Sequence, residues 1–469
     1  MPDAAGPAGA RQAAVVVASN RGPFAFRRSG DGHPEWGRAA GGLVVAVGPG
    51  AARDGATWVA ATVDGGGEAP VVEGDGLRWH PLVVDGADHR AYYDVIVNGT
   101  LWYCAHGLWD APRRPRFDRH WHAAWHAYRS VNDAFAATVA SVAAPGATVL
   151  AQDWHLGLLA PALRARRPDL RTSLFVHTPW PTPEELGALP GPARSELVDA
   201  VAAAGAVGFH TERWAERFLA SCEQSGVDAP SVYIAPAAPD ADDLRATAAG
   251  NACADAVAEL DAAAGGRAVI ARVDRMELSK NVLRGFWAFD ELLETAPRWR
   301  GRVVFVACVY PSRQGLADYL AYGQELRTLA DHLNAKWGAP GYTPVLLDTD
   351  DDHPRSVAAM RRYDVLLVNP LRDGLNLVAS EGPLVNERDG TVVLSTEAGA
   401  WAELGASPGV VGVNPFDVSA TAAAILEALE RSPAARRDAA IDLRRRAGAR
   451  SPLDWWDAQL HAAADRPGA

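Results

Sequence analysis

Two short segments concentrate charge where an α/β protein commonly binds anions. Asp274-Arg275-Met276-Glu277-Leu278-Ser279-Lys280 follows the apolar run Ala268–Val273 and delivers Lys280 five residues after Arg275, just ahead of a stretch with helical spacing. Two cations and a helix N-terminus at one point suit a diphosphate, whose oxygens accept from amide and ammonium groups together. The simpler alternative is a solvated loop with ordinary charges. Arg372-Asp373-Gly374-Leu375-Asn376-Leu377-Val378-Ala379-Ser380-Glu381 follows a second apolar run, Val365–Val368. Arg-Asp-Gly there makes a tight turn into a helix, and Asp373 and Glu381 offer carboxylates to sugar or ribose hydroxyls. Against that stands a plain helix-capping role for Asp373.

Other polar residues follow apolar runs in the same way. His177 lies between Phe175-Val176 and Thr178-Pro179, so the chain stays extended after it and the ring is aimed at a strand-end crevice. Asp153 and His155 have a similar location, with a helix cap and a packed ring as the alternative. Gly41-Gly42-Leu43 opens an apolar stretch, and paired glycines let backbone amides approach a phosphate closely. Arg21, Tyr93, Trp102 and Arg313 are candidates for a second anion site with aromatic walls, although sequence alone does not bring them together. Three other motifs fail. Gly405-Ala406-Ser407-Pro408-Gly409 has the glycines of a nucleophile elbow, but Pro408 has no N–H to donate to an oxyanion. His122 and His126 lack the adjacent Glu of a zinc protease, and the acidic run Asp348–Asp352 lacks the spacing of a calcium loop.

These residues need a framework of strand ends. Ala13–Ala18, Thr148–Ala151, Ser173–Val176, Ala268–Val273, Val303–Cys308, Val345–Leu347, Val365–Val368, Val392–Leu394 and Val410–Val413 read as buried strands. Helical spacing lies between many of them, at Trp121–Val139, Ala193–Ala204, Arg213–Gln224, Val282–Glu294, Gly315–Lys336, Ser356–Arg361 and Ala420–Arg431. The alternation predicts an α/β protein with parallel sheets built from right-handed crossovers. A chain of 469 residues exceeds one core. An Ala/Asp-rich stretch between Ile234 and Gly266 separates two strand-helix series, which places domains at 13–245 and 246–450, after a flexible 1–12. Residues 451–469 read as a terminal helix packing Trp455 and Trp456.

Lys and Arg number 45 against 57 Asp and Glu, a net charge of -12, so nucleic acid and anionic membranes are not expected partners. Four scattered cysteines, no leader-like N-terminus and no long apolar run predict a reduced, cytoplasmic protein without a membrane span. Small anions remain open, held by local cations. A homo-oligomer is compatible with the sequence.

Taken in order, Ser19-Asn20-Arg21, Gly41-Gly42-Leu43, Asp153-Trp154-His155-Leu156, His177-Thr178-Pro179-Trp180-Pro181, Val273-Asp274-Arg275 with Lys280, Pro311-Ser312-Arg313 and Asn369–Glu381 closely resemble the retaining trehalose-6-phosphate synthases. The resemblance spans nearly the whole chain. It implies two Rossmann-like domains in the GT-B arrangement facing a central cleft, with the terminal helix crossing back to the first. It implies glucosyl transfer from GDP-glucose or UDP-glucose to glucose 6-phosphate, with no cofactor beyond the nucleotide sugar and no metal. By position, Arg275 and Lys280 resemble the residues that bind the donor diphosphate, and Asp373 and His177 those that bind the donor glucose. Glu381 matches the ribose ligand, while Gly41, Gly42, Gly374, Asn376, Leu377 and Val378 match the surrounding donor loops. Arg21, Tyr93, Trp102 and Arg313 resemble the pocket for the acceptor 6-phosphate, and Asp153 the carboxylate on acceptor hydroxyls.

The chain departs from that pattern at Ser380, Gln152, Trp154 and His210. Composition rich in Ala, Arg and Gly looks actinobacterial, which by resemblance keeps GDP-glucose open. A pseudo-glycosyltransferase joining a nucleotide-activated cyclitol to an aminocyclitol phosphate resembles this chain around Gly382–Asp389, and a glucosylglycerol-phosphate synthase is a further relative. An inactive sugar-phosphate-binding protein is the alternative outside the enzymes.

Overall fold

The structure is a computed structural model that describes residues 3–4, 12–28, 34–38, 42–63 and 70–465. The chain forms two compact units, 1–237 with 452–469, and 238–451. The predicted boundary after residue 245 therefore moves to Ala237/Ala238. The Ala/Asp-rich stretch read as a separator is mostly two helices, Ala241–Ala249 and Asn251–Ala264. Both pack on helix His353–Arg362 of the second unit, with Leu244, Cys253 and Ala264 buried in its core. Alanine at every few positions gave neither an apolar stripe nor a loop composition, so only packing reveals these helices. Of the predicted flexible N-terminus, all but Asp3–Ala4 and Gln12 lies outside the described residues.

In the first unit the strands are β1 (Asp3–Ala4), β2 (Ala13–Ser19), β3 (Phe24–Arg28), β4 (Pro34–Arg38), β5 (Thr57–Thr62), β6 (Val72–Gly74), β7 (Leu77–Val83), β8 (Ala143–Gln152), β9 (Arg171–Val176), β10 (Ala206–Phe209) and β11 (Ser231–Ile234). Nine of them make one sheet in the order β1-β6-β7-β5-β2-β8-β9-β10-β11, parallel from β7 onward. β3 and β4 form a separate antiparallel hairpin. The strand order reverses between the parallel neighbours β2 and β8, so the loops after Ser19 and after Gln152 flank a topological switch point, the usual ligand crevice of such sheets.

The second unit holds β12 (Ala268–Met276), β13 (Val303–Pro311), β14 (Val345–Asp348), β15 (Val365–Val368), β16 (Thr391–Ser395) and β17 (Val410–Val413) in the all-parallel order β14-β13-β12-β15-β16-β17. Counted from β12 this is the 3-2-1-4-5-6 order of a doubly wound sheet, with its switch point between β12 and β15. Side chains alternate across it. Ile270 joins Phe286, Phe289, Phe305 and Ile425 on one face, while Val269, Ala271 and Val273 join Met360, Tyr363 and Leu366 on the other. Burial on both faces is why these strands read as unbroken apolar runs.

The terminal helix, Pro452–Ala464, belongs to the first unit, as the family resemblance implied. Trp455 and Trp456 are fully buried, and Trp456 Nε1 donates to Asp54 at 2.7 Å. Gly50 makes the contact possible: a Cβ there would fall 2.2 Å from the Trp456 ring.

Candidate active site

Arg275 and Lys280 sit at the end of β12, on the switch point of the second unit. Lys280 closes a single helical turn, Leu278–Lys280, and Asn281 follows at φ 62°, a reversal that starts the helix Val282–Thr295. Lys280 Nζ is 2.7 Å from Asp373 Oδ2 and 3.6 Å from Asp274 Oδ1. Burial opposes its charge, yet the two carboxylates hold its pKa above the usual lysine value. It is a cation at any physiological pH. Burial pushes the Asp274 carboxyl up, against the pull of Arg272 and Lys280.

Beyond β15, backbone bonds lock the loop that carries Asp373. Leu371 N donates to Ser279 O at 2.8 Å, Ala400 N to Leu375 O at 2.7 Å and Gly399 N to Asp373 O at 3.1 Å. Gly399 must be glycine, since a Cβ would meet the Gly374 carbonyl at 2.0 Å. Asn376, at φ 76°, donates to Asp373 Oδ2 at 3.2 Å. Asp373 thus faces Lys280 and Asn376, and the capping role is excluded: helix Val378–Val385 starts at Leu377 without any side-chain cap. Backbone carbonyls take its first N–H groups instead: Ala379 N donates to Asn376 O at 3.3 Å, and Ser380 N and Glu381 N donate to Leu377 O at 2.8 Å. Glu381, in the first turn, has its carboxyl pushed up to about 7 by burial, with Lys280 pulling the other way. Near neutral pH such a group both donates to and accepts from hydroxyls.

Two residues that the sequence reading passed over organise this centre. Glu277 is fully buried and takes Arg275 Nη1 at 2.5 Å, Arg313 Nη1 at 2.9 Å and the Ser312 hydroxyl at 3.0 Å. Burial alone would raise its pKa, but Arg275 and Arg313 outweigh that and hold the carboxyl at about 2. Arg272 is also fully buried and spans Asp274 at 3.0 Å, Asn369 Oδ1 at 2.5 Å and the Lys280 carbonyl. Gly285 leaves the space it needs, because a Cβ there would sit 2.9 Å from its guanidinium. Glu277 belongs to the segment Asp274–Lys280 and Arg272 to the apolar run before it, yet Asn369, Ser312 and Arg313 reach them from other strands and loops.

In the first unit, Asp153 ends β8 with φ 66° and ψ 162°, a conformation that costs a non-glycine residue of order 1–3 kcal/mol. Such strain tends to mark function. Its Oδ1 accepts from Trp154 N at 3.0 Å and its Oδ2 lies 3.4 Å from His155 Nδ1. Burial works against ionisation, but His155 and then His177 keep the carboxyl below its usual range. Asp153 therefore combines the capping role with a charged, buried carboxylate at the crevice. His177 lies beyond β9, its Nε2 2.9 Å from Gln152 Oε1, with its pKa down to about 4 through burial, against Asp153.

Arg21 lies just past β2, and its Nη2 donates to the Tyr93 hydroxyl at 3.3 Å. Tyr93 stacks on His89 at 5.2 Å and lies 5.8 Å from His155, so Arg21, Tyr93, His155 and Asp153 form one continuous group. Tyr93 stands on an unexpected π-helix, Ala91–Leu101, whose wide turn admits the Asp94 carbonyl beside Gly99, where a Cβ would be 2.7 Å from it. Trp102 follows in helix Trp102–His106, its ring stacked 4.0 Å from His106. Arg313 belongs to the second unit, on Glu277, so the four residues of the predicted phosphate pocket divide three to one between the units. Gly42 begins helix Gly42–Arg53 and is exposed; Gly41 lies outside the described residues.

A pair of doubly wound sheets with phosphate-type cations at one switch point and a carboxylate-aromatic group at the other defines a nucleotide-sugar-dependent glycosyltransferase of the GT-B class. The family model Glycosyltransferase family 20 matches residues 13–465, and the chain belongs to that family. A trehalose-6-phosphate synthase of Mycolicibacterium smegmatis is 32% identical over 444 residues, covering 89% of this chain and 86% of that protein. Among solved structures, one from E. coli bound with UDP-2-fluoro glucose matches with TM-score 0.85 and 27% identity, covering 96% of this chain and 99% of its own. An alpha,alpha-trehalose-phosphate synthase (UDP-forming) from Burkholderia xenovorans in complex with glucose-6-phosphate matches with TM-score 0.85 and 27% identity over the same shares.

Proposed function

We propose that the protein transfers glucose, with retention at the anomeric carbon, from UDP-glucose or GDP-glucose to glucose 6-phosphate, giving trehalose 6-phosphate and the nucleoside diphosphate. The observation that carries this reading is the Arg275–Lys280 pair at the second switch point, beside the helix that starts at Val378 and the carboxylates Asp373 and Glu381. In the reaction the bond between the anomeric carbon and the β-phosphate oxygen breaks, and a bond to the acceptor's anomeric oxygen forms. The acceptor hydroxyl proton passes to the departing phosphate, on the same face of the sugar. Negative charge grows on that phosphate in the transition state, and fixed cations in a partly buried site stabilise it without reorganising. The reading assigns this to Arg275 and Lys280 and asks for no metal ion.

Asp373 and His177 would hold the donor sugar, and Glu381 the ribose. Gly41, Gly42, Gly374, Asn376, Leu377 and Val378 would line the donor. Arg21, Tyr93 and Trp102, with Arg313, would take the acceptor phosphate, and Asp153 its hydroxyls. The solved relatives named above carry UDP in their names, which favours UDP-glucose as donor. The four cysteines are buried and form no disulfide with one another, which fits a cytoplasmic setting. No described helix is long and apolar enough to cross a membrane.

The test is product formation from glucose 6-phosphate with UDP-glucose and GDP-glucose in parallel. A phosphorylated non-reducing disaccharide is expected from at least one donor. Binding of both substrates without product would refute the reading in favour of a sensor, and turnover only with a cyclitol or glycerol phosphate would move the acceptor class.

A further inference from the structure

Behind His177 the first unit buries a short chain of amides. Gln459, on the terminal helix, and Gln152, the last residue of β8, are both buried, the first completely. Gln152 Nε2 donates to Gln459 Oε1 at 2.9 Å and to the Leu150 carbonyl at 3.4 Å, and its Oε1 lies 2.9 Å from His177 Nε2. The ring is neutral at neutral pH, since burial holds its pKa at about 4 against Asp153. A neutral imidazole carries one proton, on either nitrogen, and its neighbours decide which.

Here the order of deciding is fixed by a group that has no choice. A backbone carbonyl only accepts, so the Leu150 oxygen keeps the Gln152 amide nitrogen on its side and turns Oε1 toward the ring. An amide oxygen also only accepts, so the ring nitrogen facing it must bear hydrogen. Reversing both amides would give a bond to Gln459 Nε2, which lacks a partner among the described residues, but would set the Gln152 oxygen against the Leu150 carbonyl. Phe175, His210 and Trp455 pack around the His177 ring, with centroids at 5.0, 5.3 and 5.6 Å, and leave it little room to rotate away.

We propose that Gln152 and Gln459 are positioning residues that lock His177 in the Nε2–H tautomer and so leave Nδ1 a bare acceptor for a substrate hydroxyl. The second half rests on the reading of His177 as a donor-sugar ligand; the tautomer itself does not. The terminal helix then sets the hydrogen-bonding sense of a ring in the crevice, through a contact between residues 307 positions apart. A donor hydroxyl gives its hydrogen to Nδ1 only while that nitrogen stays bare. Loss of one neutral hydrogen bond of this kind is worth roughly tenfold in rate.

The test is a long-range 1H–15N correlation spectrum of the full chain labelled at histidine, with His177 identified by the signal lost in His177→Gln. The expected result is a protonated Nε2 and an unprotonated Nδ1 at neutral pH in the wild type, and a mixture of tautomers in Gln459→Met. Gln459→Glu keeps an acceptor facing Gln152 and is expected to restore the wild-type pattern. In parallel, kcat/KM for the nucleotide sugar should fall roughly tenfold in Gln459→Met and recover in Gln459→Glu, with KM for glucose 6-phosphate unmoved. A wild-type ring protonated at Nδ1, or a pattern unchanged in Gln459→Met, overturns the proposal, and the wild-type spectrum gives that answer even where a variant fails to fold. Tautomer mixing with undiminished turnover would keep the lock and overturn the assignment of His177 to the substrate.

Discussion

Replacing Glu277 by Gln keeps the side-chain shape and removes the charge that Arg275 and Arg313 share. Two routes give the size of the effect. Breaking a buried pair on one side costs about 3–5 kcal/mol, toward the lower end here because Arg275 is 36% exposed. Separately, moving the carboxyl from its ordinary 4.5 to about 2 corresponds to about 3 kcal/mol of folding stability. The folded pKa is depressed, so this stability is present above the unfolded pKa and is lost as pH falls toward the folded one. For a unit of this size, about 3 kcal/mol lowers Tm by roughly 6–12 °C. Differential scanning calorimetry at neutral pH should show that loss in the transition of the second unit. Repeated toward acid, the wild-type and Glu277→Gln curves should converge, since protonated Glu277 no longer pairs. With Arg275 released from its partner, kcat/KM should also fall by about 10²-fold, the scale of a 1 Å misplacement. A Tm within about 2 °C of wild type at neutral pH, or a gap that persists into acid, would refute the reasoning.

The remaining expectations follow from the same geometry. Arg275→Ala and Lys280→Ala should each lower kcat by at least about 10²–10³-fold with unchanged circular dichroism, as for removal of a transition-state donor, and normal turnover in either would sink the assignment. KM for the nucleotide sugar should fall as pH rises through about 7, when Glu381 ionises and becomes the better acceptor for ribose hydroxyls, and this step should be missing in Glu381→Gln. Trp456→Ala should cost about 3–5 kcal/mol in urea unfolding of the first unit, because the ring is fully buried against Gly50 and bonded to Asp54; a cost below about 1 kcal/mol would show that the terminal helix is not anchored there.

Much of the scaffold was legible in the amino acids. Strands buried on both faces announce themselves as unbroken Val/Ile runs, and each of the nine that were read that way lies within a strand of the structure. The short or half-exposed strands Thr57–Thr62, Val72–Gly74, Leu77–Val83, Ala206–Phe209 and Ser231–Ile234 were passed over, as was the helical path from Gly86 to His106. Ala206–Phe209 is apolar but only four residues long, and the others mix polar with apolar residues, so their pairing partners rather than their own composition make them regular. The π-helical turn around Gly99 has no periodic signature of its own.

For the site, sequence by itself determined where chemistry could sit. Polar residues directly after buried strands must lie at the carboxyl edge of a parallel sheet, so Arg275, Lys280, Asp373, Asp153 and His177 could be named in advance. Only the tertiary structure decided how they are paired. Register in the parallel sheet aligns Arg275 with Tyr310 and Met276 with Pro311, which brings Ser312 and Arg313 to Glu277. Loop stitching brings Asp373 to Lys280, and the returning terminal helix brings Gln459 to Gln152. A local pattern constrains which way a side chain leaves its own backbone; the charge it meets there depends on chain segments tens to hundreds of residues away, fixed by core packing that no short stretch of sequence contains.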